Sequence, residues 1–213
     1  MWCLLVGILL SGMMAGCVKK EASPAGETEE VLEKGGEKGM VDLTGKKVLM
    51  VIAPTNFRDE ELAEPKNVLG SMGAEIEVTA EEVAEAVGVM GTKVKIDKDL
   101  KGVRAEDYDG VVFVGGPGTT VYFNDPAVLE LAKRAVGGDK VVGAICIAPS
   151  ILANAGLVKG KRVTSFASEK ENLVGAGAIF TGGGVEVDGK MVTADGPASA
   201  RSFGEKLAEV LGR

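Results

Sequence analysis

Between residues 46 and 213 two patterns take turns along the chain. Short runs that are apolar almost throughout (KKVLMVIA, YDGVVFVGG, KVVGAI) alternate with longer segments, such as Asp59 to Met72 and DPAVLELAKRAVGG, in which apolar residues recur every third or fourth position. The short runs have strand length and the apolar continuity of strands covered on both faces, and the longer segments have the helical period. AEIEVTA, bounded by Gly73, alternates as a strand does. VAEAVGVMGTKVKI reads as a hairpin, and VEVDGKMVTA as two strands turning at Asp188-Gly189. Asp125 followed by Pro126 is a helix start, and Ala198 to Leu211 forms a closing helix. After KVVGAI the chain enters Cys146 and at once a helix-like segment punctuated by Pro149. KRVTSF and ENLVGAGAIF follow it. Alternating strands and helices predict an α/β fold, a doubly wound and mostly parallel sheet with helices on both faces.

The first 45 residues depart from this pattern. Trp2 to Met14 is an apolar run without a charged residue, followed by Ala15, Gly16, Cys17, Lys19 and Lys20. The run is short for a membrane span, which needs roughly 20 apolar residues. Small residues before Cys17 resemble a lipobox, at which an export signal is cleaved and the new N-terminal cysteine acylated. Met14 stands where that box most often has leucine, and no basic residue precedes the run. Residues 1–17 are therefore read as a signal with Cys17 as the lipid anchor of an exported, membrane-attached protein. The alternative is an uncleaved anchor with the domain on the cytoplasmic side. Residues 18–45, rich in Glu, Lys, Gly and Ser, read as a flexible tether to a single domain over 46–213.

Composition then narrows the chemistry. The chain of 213 residues is 46% hydrophobic and carries a net charge of -7 with 4% aromatics, so it lacks the basic, aromatic-studded surface of a nucleic-acid partner. It contains no histidine, which rules out a Cys–His or Ser–His–Asp arrangement within the chain or between its copies. Three scattered cysteines give no zinc centre.

In a doubly wound sheet, sites form where strands end. Cys146 ends one strand at the start of a helix, where unpaired amides favour a thiolate, with a thiol ionising at roughly 3.5 to 7.5. The alternative for Cys146 is an inert buried side chain. Asp59, Glu60 and Glu61 follow the first strand's loop, Pro54 to Phe57, at a helix start, where acidic residues also serve simply to complement the helix dipole. GGPG, Gly115 to Gly118, follows another strand. It lacks the Lys and Ser/Thr of a phosphate loop, and reads either as a tight turn or as amides able to hold an oxyanion.

The ordered set NFRDEELAEP, YDGVVFVGGPG, AICIAPSILANAGLVKGKRVTSF and VEVDGKMVTADGPASARSFGEKL resembles the ThiJ/PfpI family of the class I glutamine-amidotransferase-like superfamily. That family includes PfpI-type proteases and a chaperone and deglycase associated with Parkinson disease. The resemblance spans roughly Lys46 to Arg213. It implies a flavodoxin-like fold with a strand-to-helix nucleophile elbow, and a homodimer or larger homo-oligomer. It also implies Cys146 as the reactive residue, Glu61 as its acidic partner, and Gly115 and Gly116 as the glycine pair whose backbone, with that of Ile147, lines an oxyanion site. Where protease-type members have histidine after the cysteine this chain has Ile147, and Ala148 and Phe166 also depart from the family pattern.

The minimal site is thus Cys146 with Glu61, with no metal or organic cofactor required. It suits cysteine-dependent hydrolase or lyase chemistry on a small carbonyl compound or a glycated adduct, Glu61 moving the proton. The alternatives are a redox sensor or chaperone whose Cys146 is oxidised by peroxide, a PfpI-type peptidase, disfavoured by the missing histidine, and a silent fold.

Overall fold

The computed structural model describes residues 41–213. The signal-like segment with Cys3 and Cys17, and the tether as far as residue 40, lie outside the described residues. The packed structure reaches back further than the expected boundary at 46. Leu43 is fully buried and its N–H donates to the Met72 carbonyl at 2.7 Å, so residues 41–45 belong with the domain and not with a tether.

The chain runs through β1 (Lys47–Val51), β2 (Thr55–Phe57), α1 (Asp59–Ser71), β3 (Glu75–Ala80), β4 (Glu85–Gly88), β5 (Lys93–Lys95) and β6 (Lys98–Asp99). It continues with β7 (Gly110–Phe113), α2 (Pro126–Gly137), β8 (Val141–Ile145), α3 (Pro149–Asn154), β9 (Arg162–Val163) and α4 (Lys170–Gly175). β10 (Ile179–Phe180), β11 (Val185–Asp188), β12 (Met191–Ala194) and α5 (Ala200–Leu211) complete it. The main sheet has the order β11-β12-β8-β7-β1-β3-β6 and is parallel except for the antiparallel edge strand β11. Every residue of β7 and β8 is buried, which is why these strands are apolar throughout instead of alternating.

The helices α1 and α5 pack together and against the sheet, while α2 packs on β7 and β8 with α3 beside it. Gly143 of β8 sits under α5, where an added Cβ would come within 2.9 Å of both the Leu207 and Phe203 side chains. The expected hairpin forms as β4 and β5, but it leaves the main sheet. It pairs with β2, a three-residue strand without a sequence signal, to make a separate three-stranded sheet. Asp125 caps α2 as expected, its carboxylate accepting from the Ala127 and Val128 amides at 2.9 Å each. No helix among the described residues is long and apolar enough to cross a membrane.

The carboxyl ends of β1, β7, β8 and β12 lie side by side by register, with Val51, Phe113, Ala144 and Ala194 near one end of the sheet. The loops that leave them carry Phe57 to Glu61, Gly115 to Gly118, Cys146 and Asp195, so this end holds the candidate site residues.

Candidate active site

β8 delivers the chain to Cys146, whose backbone is left-handed at φ 64°. That conformation costs a residue with a Cβ about 1–2 kcal/mol relative to the right-handed region. It is held by bonds on both sides: the Cys146 N–H donates to the Ala194 carbonyl at 2.9 Å, and the Cys146 carbonyl accepts from the Phe166 N–H at 2.8 Å. The turn closes with the Ala148 N–H on the Ile145 carbonyl at 3.0 Å, after which α3 begins at Pro149. A sharp reversal at a strand end throws the thiol clear of the sheet. Its residue is 9% exposed, which leaves the sulfur shielded without sealing it in.

The three acidic residues that open α1 meet three different fates. Asp59 accepts from the Met90 amide at 2.8 Å and the Thr92 amide at 3.2 Å, so it clamps the β4–β5 turn to the helix. Burial pushes its carboxyl up, but these bonds outweigh burial and hold it below the usual range. Glu60 pairs with the Arg58 guanidinium at 2.9 Å. Glu61 points inward and is fully buried, and neither of its carboxyl oxygens meets a donor in full hydrogen-bond geometry. Burial pushes its carboxyl up to about 7. The Cys146 thiol, the Gly115 amide and the Arg58 guanidinium face it and pull the other way, and Glu60 adds to the rise.

Gly115 is what lets the pair meet. A Cβ there would lie 2.5 Å from a Glu61 carboxyl oxygen, 2.6 Å from the Cys146 Cβ and 2.8 Å from the Ile145 carbonyl. The neighbours are backbone and two buried side chains, so none can swing away. Gly115→Ala is therefore expected to lower unfolding free energy by about 2 kcal/mol or more, as overpacking of a rigid core does, and urea denaturation reads it. A change below about 0.5 kcal/mol would contradict this crowding. Gly116 sits at φ 107°, and a Cβ on it would come within 2.4 Å of the Arg58 amide nitrogen. The glycine pair thus brings the β7 loop hard against the loop before α1, and the Arg58 N–H donates to the Gly115 carbonyl at 2.9 Å.

The amides that face the sulfur are those of Gly116 and Ile147, while the amide of Gly115 faces Glu61. All five residues expected at the site are therefore brought together, with Gly115 serving the acid instead of the thiol. The electrostatics differ in sign from expectation. Burial first, then the charge of Glu61 and its hydrogen bond to the thiol, push Cys146 up to about 12, against the lowering by the two amides. The expected helix N-terminus is weak here. α3 is only six residues long, and its first residue, Pro149, has no N–H. Burial thus disfavours the charged form of both groups, and the carboxyl of Glu61 beside the sulfur adds to the rise of the thiol.

Arg58, which the sequence reading passed over, stands immediately before α1 with its guanidinium close enough to act on Glu61. A charged residue directly ahead of a helix-opening acidic run was the only available signal. Phe166 is 49% exposed beside the elbow. Among the described residues, no group of three or more His, Cys, Asp or Glu gathers as metal ligands.

Residues 46–210 match the DJ-1/PfpI family. An uncharacterised protein of Methanocaldococcus jannaschii is 42% identical over 173 residues, covering 80% of this chain and 84% of its own length. A protein of Pyrococcus horikoshii named as a deglycase is 31% identical over 166 residues, covering 78% of this chain and 99% of its own. The crystal structure of a ThiJ/PfpI domain protein from Brachyspira murdochii superposes with a TM-score of 0.76 at 32% identity, over 78% of this chain and 98% of that one.

Proposed function

The chain belongs to the DJ-1/PfpI family, and from that premise we propose that it is a cofactor-independent enzyme acting on small 2-oxoaldehydes such as methylglyoxal or on their adducts. The observation that carries this reading is the strained Cys146, at φ 64°, held against a fully buried Glu61 whose carboxyl oxygens meet no donor in full hydrogen-bond geometry. A merely structural cysteine has no use for a left-handed backbone, and a buried carboxyl with so few and such poorly aligned donors is costly unless it has work to do. The deglycase name of the Pyrococcus horikoshii relative supports carbonyl chemistry. A Cys–His peptidase pair has no histidine to draw on.

The chemistry conserves charge at every step. Glu61, as carboxylate, takes the thiol proton while sulfur forms a bond to the aldehyde carbon, and the same proton passes to the carbonyl oxygen, giving a hemithioacetal. The amides of Gly116 and Ile147, which face the sulfur, are the donors for the charge that develops on the oxygen. Glu61 then removes the hydrogen on the former aldehyde carbon and returns it to the neighbouring carbonyl carbon through an enediol. This leaves a thioester and a secondary alcohol. Water hydrolyses the thioester, freeing the thiol and a 2-hydroxy acid, so the net reaction is oxoaldehyde plus water. No outside oxidant or reductant enters.

The test uses the full chain with methylglyoxal and no added thiol or metal. Lactate is expected by proton NMR, formed at a rate proportional to the concentration of protein. No lactate, with Cys146 shown by intact mass to be reduced, would sink the proposal. Membrane attachment through Cys17 and assembly as a homodimer or larger oligomer are part of the same proposal, the first resting on the sequence around Cys17 and the second on the family. Mass of the membrane-extracted chain and light scattering read these two.

A further inference from the structure

Beside the elbow opens a cavity of about 380 Å³ whose walls include Ser165, Phe166, Phe180, Lys170, Asp195 and Gly196. Cys146 is tied to both walls. Its carbonyl accepts from Phe166 on one side, and its N–H donates to Ala194, the residue before Asp195, on the other. The backbone of Cys146 is thus bonded to one wall residue, Phe166, and to the neighbour of another, Asp195, which puts the cavity next to the elbow. Its volume is within the range of sites for small organic molecules, and much larger than the methyl group of methylglyoxal requires.

Two aromatic rings give it its character. Phe166 is 49% exposed, and one edge of its ring rests by Gly196, where an added Cβ would meet it at 3.8 Å. Phe180 carries the Lys170 ammonium 5.9 Å from its ring centre. A half-exposed phenylalanine in the wall of a cavity next to a nucleophile offers an uncovered face to whatever enters, and aromatic rings prefer other rings in offset or edge-to-face contact.

We propose that this cavity is the substituent subsite of the enzyme, and that the preferred substrates are 2-oxoaldehydes carrying an aryl group, which lies between Phe166 and Phe180 while the aldehyde carbon meets Cys146. This rests on the reading of Cys146 as a carbonyl-reactive centre. It goes beyond that reading in naming what the rest of the substrate is. The reaction on such a substrate balances as for methylglyoxal, phenylglyoxal and water giving mandelate.

The experiment compares initial rates of mandelate formation from phenylglyoxal and lactate formation from methylglyoxal, taken before phenylglyoxal modifies arginines. The wild-type kcat/KM is expected to favour phenylglyoxal by about 10-fold to 100-fold, the discrimination an apolar pocket supplies. Phe166→Ala and Phe180→Ala are each expected to shrink that ratio towards one, and Phe166→Leu, which keeps apolar bulk without the ring, to shrink it in part. Turnover of methylglyoxal with no preference for phenylglyoxal, or a preference that survives both alanine variants, would overturn the subsite and leave the carbonyl reading standing. Absence of turnover with either compound while Cys146 is reduced would overturn the carbonyl reading itself. If a second copy of the chain covers the cavity instead, the wild type shows no aryl preference and Phe166→Ala dissociates the oligomer in light scattering, which also overturns the subsite.

Discussion

Cys146→Ala is expected to bring methylglyoxal turnover down to the uncatalysed rate, a loss on the order of 10⁴-fold or more, because the step that forms the carbon–sulfur bond has no other nucleophile. Cys146→Ser should fare little better. A hydroxyl holds its proton far more tightly than a thiol, and Glu61, at about 7, is a poor base for it. The fold should survive both changes, since the turn is held by backbone bonds to Ala194 and Phe166 that the side chain does not make. The strain at φ 64° supplies an internal control. Cys146→Gly should be more stable than Cys146→Ala by up to about 1 kcal/mol, because only the alanine retains a Cβ in the left-handed region. Turnover by Cys146→Ala above one hundredth of the wild-type rate would place the chemistry elsewhere.

Glu61→Gln is expected to reduce kcat/KM for methylglyoxal by about 10²–10⁴-fold, the contribution of a positioned base. In the wild type kcat/KM should rise with pH through about 7 as Glu61 ionises, and the variant should lose that limb. The same change should make the thiol easier to ionise. Removing the carboxylate takes away the charge and the hydrogen bond that push Cys146 up, so alkylation by iodoacetamide should begin at lower pH in the variant than in the wild type. Unfolding would also lower activity and free the thiol, so the variant's far-UV circular dichroism and urea midpoint are read alongside, and both are expected to be those of a folded chain. Stability follows the same group. Glu61 titrates at about 7 in the folded chain against 4.5 for an ordinary glutamate, so the folded state holds the proton more tightly. The stabilisation this gives is complete below about pH 4.5 and is lost as pH rises through about 7, amounting to at most about 3 kcal/mol. Urea denaturation should therefore show Glu61→Gln gaining on the wild type between pH 5 and 8. A difference independent of pH would show that Glu61 is not buried as a shared-proton partner.

The strands and helices that build the site were legible because their signals are local. β7 and β8 are apolar at nearly every position, α2 begins on Asp125-Pro126, and Cys146 stands between an apolar run and Pro149. The placement of Cys146, Glu61 and the glycine pair at one end of a parallel sheet follows from that alternation and from the family pattern. The three-residue β2 had no such signal. It exists because β4 crosses over to pair with it, a contact that no window of neighbouring residues records. The start of the domain was placed too late for a similar reason. Leu43 looks like a lone apolar residue in a polar stretch until Met72 and the core close over it.

Sequence alone determined the main parallel sheet, the elbow and the absence of histidine, and the family pattern brought forward Cys146 and Glu61 as the candidate pair. Tertiary structure decided how that pair behaves. Which of Asp59, Glu60 and Glu61 faces the sulfur depends on how α1 is rotated against the sheet, and the answer separates a turn clamp, a surface ion pair and a buried acid. The sign of the thiol's shift was likewise out of reach of pattern, since helix position argues for a thiolate while desolvation and a nearby carboxylate argue against it. Those last two terms depend on burial and on distance between groups far apart in the chain, quantities set only once β1, β7 and β8 lie side by side and Gly115 lets Glu61 and Cys146 touch.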